Sequence, residues 1–229
     1  MITDPETVRR IETRRAAVVA AIEPRVKEWM KSFPPCHDWA HIQRTRWIGR
    51  KIALKEGADT YIVDLALLLH DVADPKFKTP DSPASAELAR EIMWECKVQS
   101  SVVIEVVSSI IEGLPFYGRG IVAPMLTLEG GVVQDADMLD AMGAIGIARA
   151  FTTGAIFGQP LYVPDDPAPG SVKSSRAPRR ASTIDHFRSK LLHLKRRMNT
   201  GEGKRLAKRR HSELAKFVHK FKKEWNLEM

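Results

Sequence analysis

Thr60-Tyr61-Ile62-Val63-Asp64-Leu65-Ala66-Leu67-Leu68-Leu69-His70-Asp71 is a nearly unbroken apolar run that ends on two strong metal-ligating side chains. Periodicity alone does not separate a buried strand from a buried helix over so short a run, so the neighbouring segments decide. Those neighbours carry a helical period, and residues 60–71 therefore read as a central buried helix that delivers His70 and Asp71 at its end. Neither side chain is buried without a partner. A metal ion would satisfy both; in the plainer alternative, His70 bonds Asp71 or a backbone carbonyl as a helix stop.

Upstream, Asp4-Pro5 makes a good helix start, since Asp4 can cap and Pro5 suits the first turn. Val8, Ile11, Ala16, Val19 and Ile22 continue at helical spacing to about Ser32, and Pro34-Pro35 breaks the pattern. A second helix over residues 37–55 runs through Trp39, Ile42, Trp47, Ile48 and Ile52 and stops at Gly57. Downstream, residues 74–83 hold three prolines and read as a loop. Residues 84–97 and 101–112 read as helices, and 113–131 as a glycine- and proline-containing loop. A helix from about 136 to 157 carries Ala141, Gly143, Ala144, Gly146 and Ala148, small residues that permit close packing. Residues 158–181 form a surface excursion rich in proline, serine and arginine. The tail beyond it predicts two helices broken near Gly201 and Gly203, with an apolar stripe (Phe187, Leu191, Leu194, Leu206, Leu214, Phe217, Phe221) that docks on the core. The expected fold is all-α, one domain over residues 1–229, with the basic C-terminal helices of 182–229 packed on it.

With 44% of its 229 residues hydrophobic, the chain can bury a sizeable core. No stretch approaches the roughly 18 uninterrupted apolar residues that a membrane span needs, and the N-terminus mixes acids and bases where a signal peptide places an apolar core. The expectation is a soluble intracellular, cytoplasmic protein with no membrane partner. Two cysteines, Cys36 and Cys96, are too few for a disulfide framework and lack structural-zinc spacing. The net charge of +8 is concentrated in C-terminal runs such as 193–197 and 204–211, so the basic character belongs to the tail.

Three segments concentrate imidazoles and carboxylates: His37-Asp38-Trp39-Ala40-His41, His70-Asp71-Val72-Ala73-Asp74 and Asp135-Ala136-Asp137-Met138-Leu139-Asp140. Together these donors suit manganese, iron, zinc, cobalt or nickel. His37 and His41 are four apart and share a helix face, so either could aim at one site. The acids of the third segment lie near a helix start, where plain capping is the competing reading.

In order, the three segments resemble the HD-domain superfamily of metal-dependent phosphohydrolases, whose pattern is a His, a His-Asp pair and a distant Asp. The resemblance narrows to its small stand-alone branch through HDWAHIQRT (37–45), HDVADPKF (70–77), TLEGGVVQDADMLDAMGAIGIARAF (127–151), GQPLY (158–162) and TIDHF (183–187). It implies a helical bundle of the HD type with His41, His70, Asp71 and Asp137 as the ligands of one divalent ion, manganese first among the candidates. It also implies that Asp74, just beyond the ligand pair, orients or deprotonates the attacking water. Arg44, one turn after His41, and Lys76 in the loop are candidates for binding a substrate phosphate. Arg149 is a third; on a continuous helix it would stand about 18 Å from Asp137. Where this branch carries His-Ser-Phe, the chain reads Glu112-Gly113-Leu114, which lacks a histidine for a second metal.

The function implied is hydrolysis of a phosphate ester or anhydride in a small molecule, a nucleotide or deoxynucleoside triphosphate foremost. The competing reading is a nucleic-acid-binding protein that works through its basic tail, with a structural or vestigial metal site. Few aromatic residues lie among the tail's charges to stack on bases, which counts against it.

Overall fold

The apolar run does fold as a buried helix, over residues 60–69 with His70 as its cap, and the rest of the molecule is arranged around it. The computed structural model describes residues 4–73, 84–114, 125, 127–164 and 182–228. Every regular element among them is helical: α1 (Pro5–Trp29), α2 (Trp39–Glu56), α3 (Thr60–Leu69), α4 (Ser85–Glu95), α5 (Ser101–Gly113), α6 (Leu128–Asp140), α7 (Gly143–Ile156), α8 (Thr183–Ser189) and α9 (Gly201–Trp225), with 3₁₀ turns at Met30–Ser32 and Leu191–Arg197. The excursion falls largely outside the described residues, as do Asp74 and Lys76.

The helix ends follow local chemistry. Asp4 caps α1 by accepting the amide hydrogens of Glu6 and Thr7, with Pro5 at the first position. Asp38 caps α2, which ends at Gly57 with a left-handed φ of 77°. Asp59 caps α3 by accepting the Tyr61 amide at 2.8 Å.

Seven residues of α3, Val63 through Leu69, are buried, and α3 packs against α1, α2, α5 and α6. The buried face of α2 differs from the expected stripe: it holds His41, Thr45, Arg46 and Gly49 alongside Ile42, Ile52 and Ala53, whereas Trp47 is exposed. Gly49 lets α2 come close to α3, since a Cβ there would push the end of the Leu67 side chain aside. Arg46 can be buried because it donates to Asp64 on α3 at 2.9 and 3.0 Å and to Glu23 at 2.8 Å.

The single helix expected over 136–157 is two helices. The chain turns at Ala141-Met142, and α7 begins at Gly143 with a φ of 70°, a conformation that L side chains rarely adopt. Gly146 completes the turn, because a Cβ there would collide with the Ala141 carbonyl. The tail differs similarly: Gly201 and Gly203 lie in the first turn of α9, capped by Thr200, and the break precedes them. α9 packs on α2, α6, α7 and α8, burying Ala207, Leu214 and Val218. Its Phe217 and Phe221 rings meet Phe151 of α7 at centroid distances of 5.8 and 6.2 Å, while Lys204, Arg205, Lys208, Arg209, Lys216 and Lys220 face outward.

Candidate metal centre

α2 and α3 carry the histidines, and α6 lies across both. His41 is wholly buried in the first turn of α2, and His70 is buried where α3 ends. Their Nε2 atoms are 3.2 Å apart. Oδ2 of Asp71 lies 3.2 Å from Nε2 of His41 and 3.6 Å from that of His70. Oδ1 of Asp137, on α6, lies 3.6 and 3.8 Å from the same two nitrogens. Atoms of His41, His70 and Asp71 all fall within 4.8 Å of one another, a spacing that fits a metal ion.

The other ring nitrogen of each histidine is engaged. His70 Nδ1 is 2.9 Å from the Leu67 carbonyl, an obligate acceptor, and therefore carries the hydrogen. His41 Nδ1 is 2.8 Å from Oδ2 of Asp140. Both Nε2 atoms are then left with lone pairs that face each other and two carboxylates, an array of acceptors without a donor. Such an array is stable around a cation. An octahedral ion with bonds of about 2.1 Å holds neighbouring ligands about 3 Å apart, close to the spacing seen. The donor set of two imidazoles and two carboxylates suits a borderline divalent metal. The Asp137 side chain is 39% exposed and that of Asp71 17%, against 0% for His41, so the site opens to solvent on its carboxylate side.

Electrostatics agree with a cation site. Burial alone would raise the Asp71 carboxyl, but the His70 and His41 imidazoles outweigh it and hold it well below the usual carboxylate range. At His41, burial and the Arg149 guanidinium oppose a positive charge, yet the hydrogen bond to Asp140 and the negative charge of the nearby Asp71 carboxylate outweigh them and raise the imidazole.

His37 does not join the cluster: its ring centroid is 5.8 Å from that of His41, and its Nδ1 sits 3.3 Å from Sγ of Cys36. Asp135 is engaged elsewhere, accepting from the backbone and side chain of both Asn199 and Thr200 at 2.7 to 2.9 Å. Arg44 and Arg149 converge on a residue to which the sequence reading gave no role. Asp140 accepts from Arg44 Nε at 2.7 Å and Nη2 at 3.0 Å and from Arg149 Nη1 at 2.8 Å. Arg149 Nε also donates to the Cys36 carbonyl at 2.7 Å. The turn after α6 reverses the chain and brings Arg149 back beside Asp140, so the straight-helix placement far from the site does not hold. The available signal was spacing: Asp140 follows Asp137 by three, which puts both near one face of α6.

A family model for the HD domain matches residues 38–142, which enclose His41, His70, Asp71 and Asp137. The Bacillus subtilis protein YpgQ is 35% identical over 207 residues, covering 87% of this chain and 92% of its own. Its crystal structure in complex with ADP superposes with a TM-score of 0.73 at 32% identity, covering 92% of this chain and 96% of that one. A solved HD-superfamily hydrolase from Bacillus thuringiensis gives a TM-score of 0.71 at 32% identity, with 93% and 98% coverage. The chain belongs to the HD-domain family and is an HD-superfamily hydrolase.

Proposed function

We propose that the protein is a metal-dependent phosphohydrolase whose substrate is a nucleotide, with His41, His70, Asp71 and Asp137 as the ligands of one divalent ion, manganese first. The observation that carries this reading is the convergence of two imidazole Nε2 atoms and two carboxylates at the solvent-facing end of a buried helix pair. When bound, the ion lowers the pKa of a water molecule and polarises the phosphoryl group. The chain's residues do the rest. Arg44 uses Nε and Nη2 on Asp140, which leaves its third nitrogen to take a phosphate oxygen at the rim. Asp74, three residues beyond Asp71, receives the proton of the attacking water, and Lys76 neutralises the substrate's charge. The ADP held by the crystalline relative YpgQ makes nucleotides the first class to try.

The test is a panel of ribo- and deoxyribonucleotides with added manganese, comparing the parent with His70→Ala, Asp71→Ala and Asp74→Asn. Loss of turnover of about a hundredfold or more is expected for both ligand variants, accompanied by loss of bound metal. Asp74→Asn should bind metal normally and turn over slowly. Undiminished turnover in His70→Ala and Asp71→Ala would sink the assignment.

A further inference from the structure

Asp140 is almost completely buried, yet it meets three donor side chains from two other helices: Nδ1 of His41 on α2, the fork of Arg44 one turn later on the same helix and Nη1 of Arg149 on α7. A guanidinium only donates. With one on each side, both Asp140 oxygens must act as acceptors, and the His41 nitrogen facing Oδ2 must be the protonated one. The other tautomer, with its proton on Nε2, would turn the Nδ1 lone pair onto that oxygen. Arg149 is itself fixed at a second point, the Cys36 carbonyl just before α2, so it ties α7 to the start of the helix that carries His41.

We propose that Asp140 is the positioning residue of the metal centre, and that Arg149 acts through Asp140 on His41 and does not bind substrate. The unit Arg44–Asp140–Arg149 aims Nε2 of His41 at the ion, as a carboxylate behind a metal-bound histidine does generally. Arg44 keeps a free nitrogen and can serve both ends; the Arg149 side chain, 13% exposed, is pinned at two points. This inference rests on the ligand reading above.

The experiment is a cobalt(II) titration followed by visible absorption, with the fold of each variant checked by circular dichroism. Asp140→Asn and Arg149→Met are expected to weaken metal binding by about tenfold to a hundredfold and to change the cobalt band. At saturating metal, ADP affinity measured by calorimetry should stay within about twofold of the parent for Arg149→Met. Parent-like metal affinity with ADP binding lost in Arg149→Met overturns the proposal and makes Arg149 a substrate contact. Failure of the parent itself to bind cobalt sinks the ligand reading instead. Should Asp140→Asn not fold, the parent still answers: a long-range ¹H–¹⁵N spectrum of the zinc-loaded protein should show His41 protonated at Nδ1, and a proton on Nε2 overturns the proposal.

Discussion

Another buried carboxylate, one that touches none of the proposed ligands, shows how strongly single residues matter here. Asp64 sits in the most apolar helix, and it is tolerated because Arg46 and Arg50 each grip both of its oxygens, at 2.8 to 3.0 Å. Burial raises its pKa, and the two guanidiniums more than reverse that, leaving it below its ordinary value. A carboxyl with a depressed folded pKa stabilises the protein above its unfolded value of about 3.9, and that contribution disappears as the pH falls through the folded pKa. Asp64→Asn should therefore cost about 3 kcal/mol at pH 7, where it leaves buried Arg46 with only the partly exposed Glu23 as a charge partner. The gap between parent and variant in urea unfolding should shrink below about pH 4; a gap that stays constant from pH 7 to pH 3 would contradict this origin. In the sequence, Asp64 was one polar letter in an apolar run, and nothing local named its partners 14 and 18 residues earlier.

Among elements, the α6–α7 pair shows where sequence reading works and where it stops. The start of α1, the stop at Gly57 and the helical nature of 60–69 were legible because caps, glycine and neighbouring periods are local signals. The turn at Ala141-Met142 was not, since small residues continue a helical pattern as readily as they break one. What settles it is tertiary: Arg210 of α9 packs alongside Gly143 and donates to the Leu139 carbonyl at the end of α6. His41, His70 and Asp71 could be nominated from motif and burial, but the placement of Arg149 beside Asp140 depended on this turn. Gly146→Ala tests the turn, because its Cβ would meet backbone that cannot move aside. A destabilisation of about 1–3 kcal/mol in chemical denaturation is expected, with weaker metal binding as Arg149 shifts. Parent-like stability and metal affinity together would show that the turn has slack.

At the scale of the whole molecule, the proposed ion would join α2, α3 and α6, which belong to one hydrophobic core but meet the ligand cluster from different directions. Binding only the folded state, metal at a hundredfold excess over its Kd adds about 2.7 kcal/mol, or about 5–10 °C in Tm for a domain of this size. Calorimetry with and without a chelator measures it, and Asp71→Ala should show no difference between the two conditions. Identical melting of the chelated and metal-loaded parent would place the ion elsewhere or nowhere. The buried clamp of Asp135 on Asn199 and Thr200 extends the same dependence to the tail, since it fastens the start of α9 to the helix that bears Asp137.

That clamp also bears on the order in which the protein is made. A nascent chain that has emerged only as far as α6 has all four proposed ligands outside the ribosome, yet the carboxylate beside them still waits for donors 64 and 65 residues further on. The brace therefore forms only after Asn199 and Thr200 have emerged, and a fragment ending before Asn199 carries the ligands without the clamp on the helix that bears Asp137.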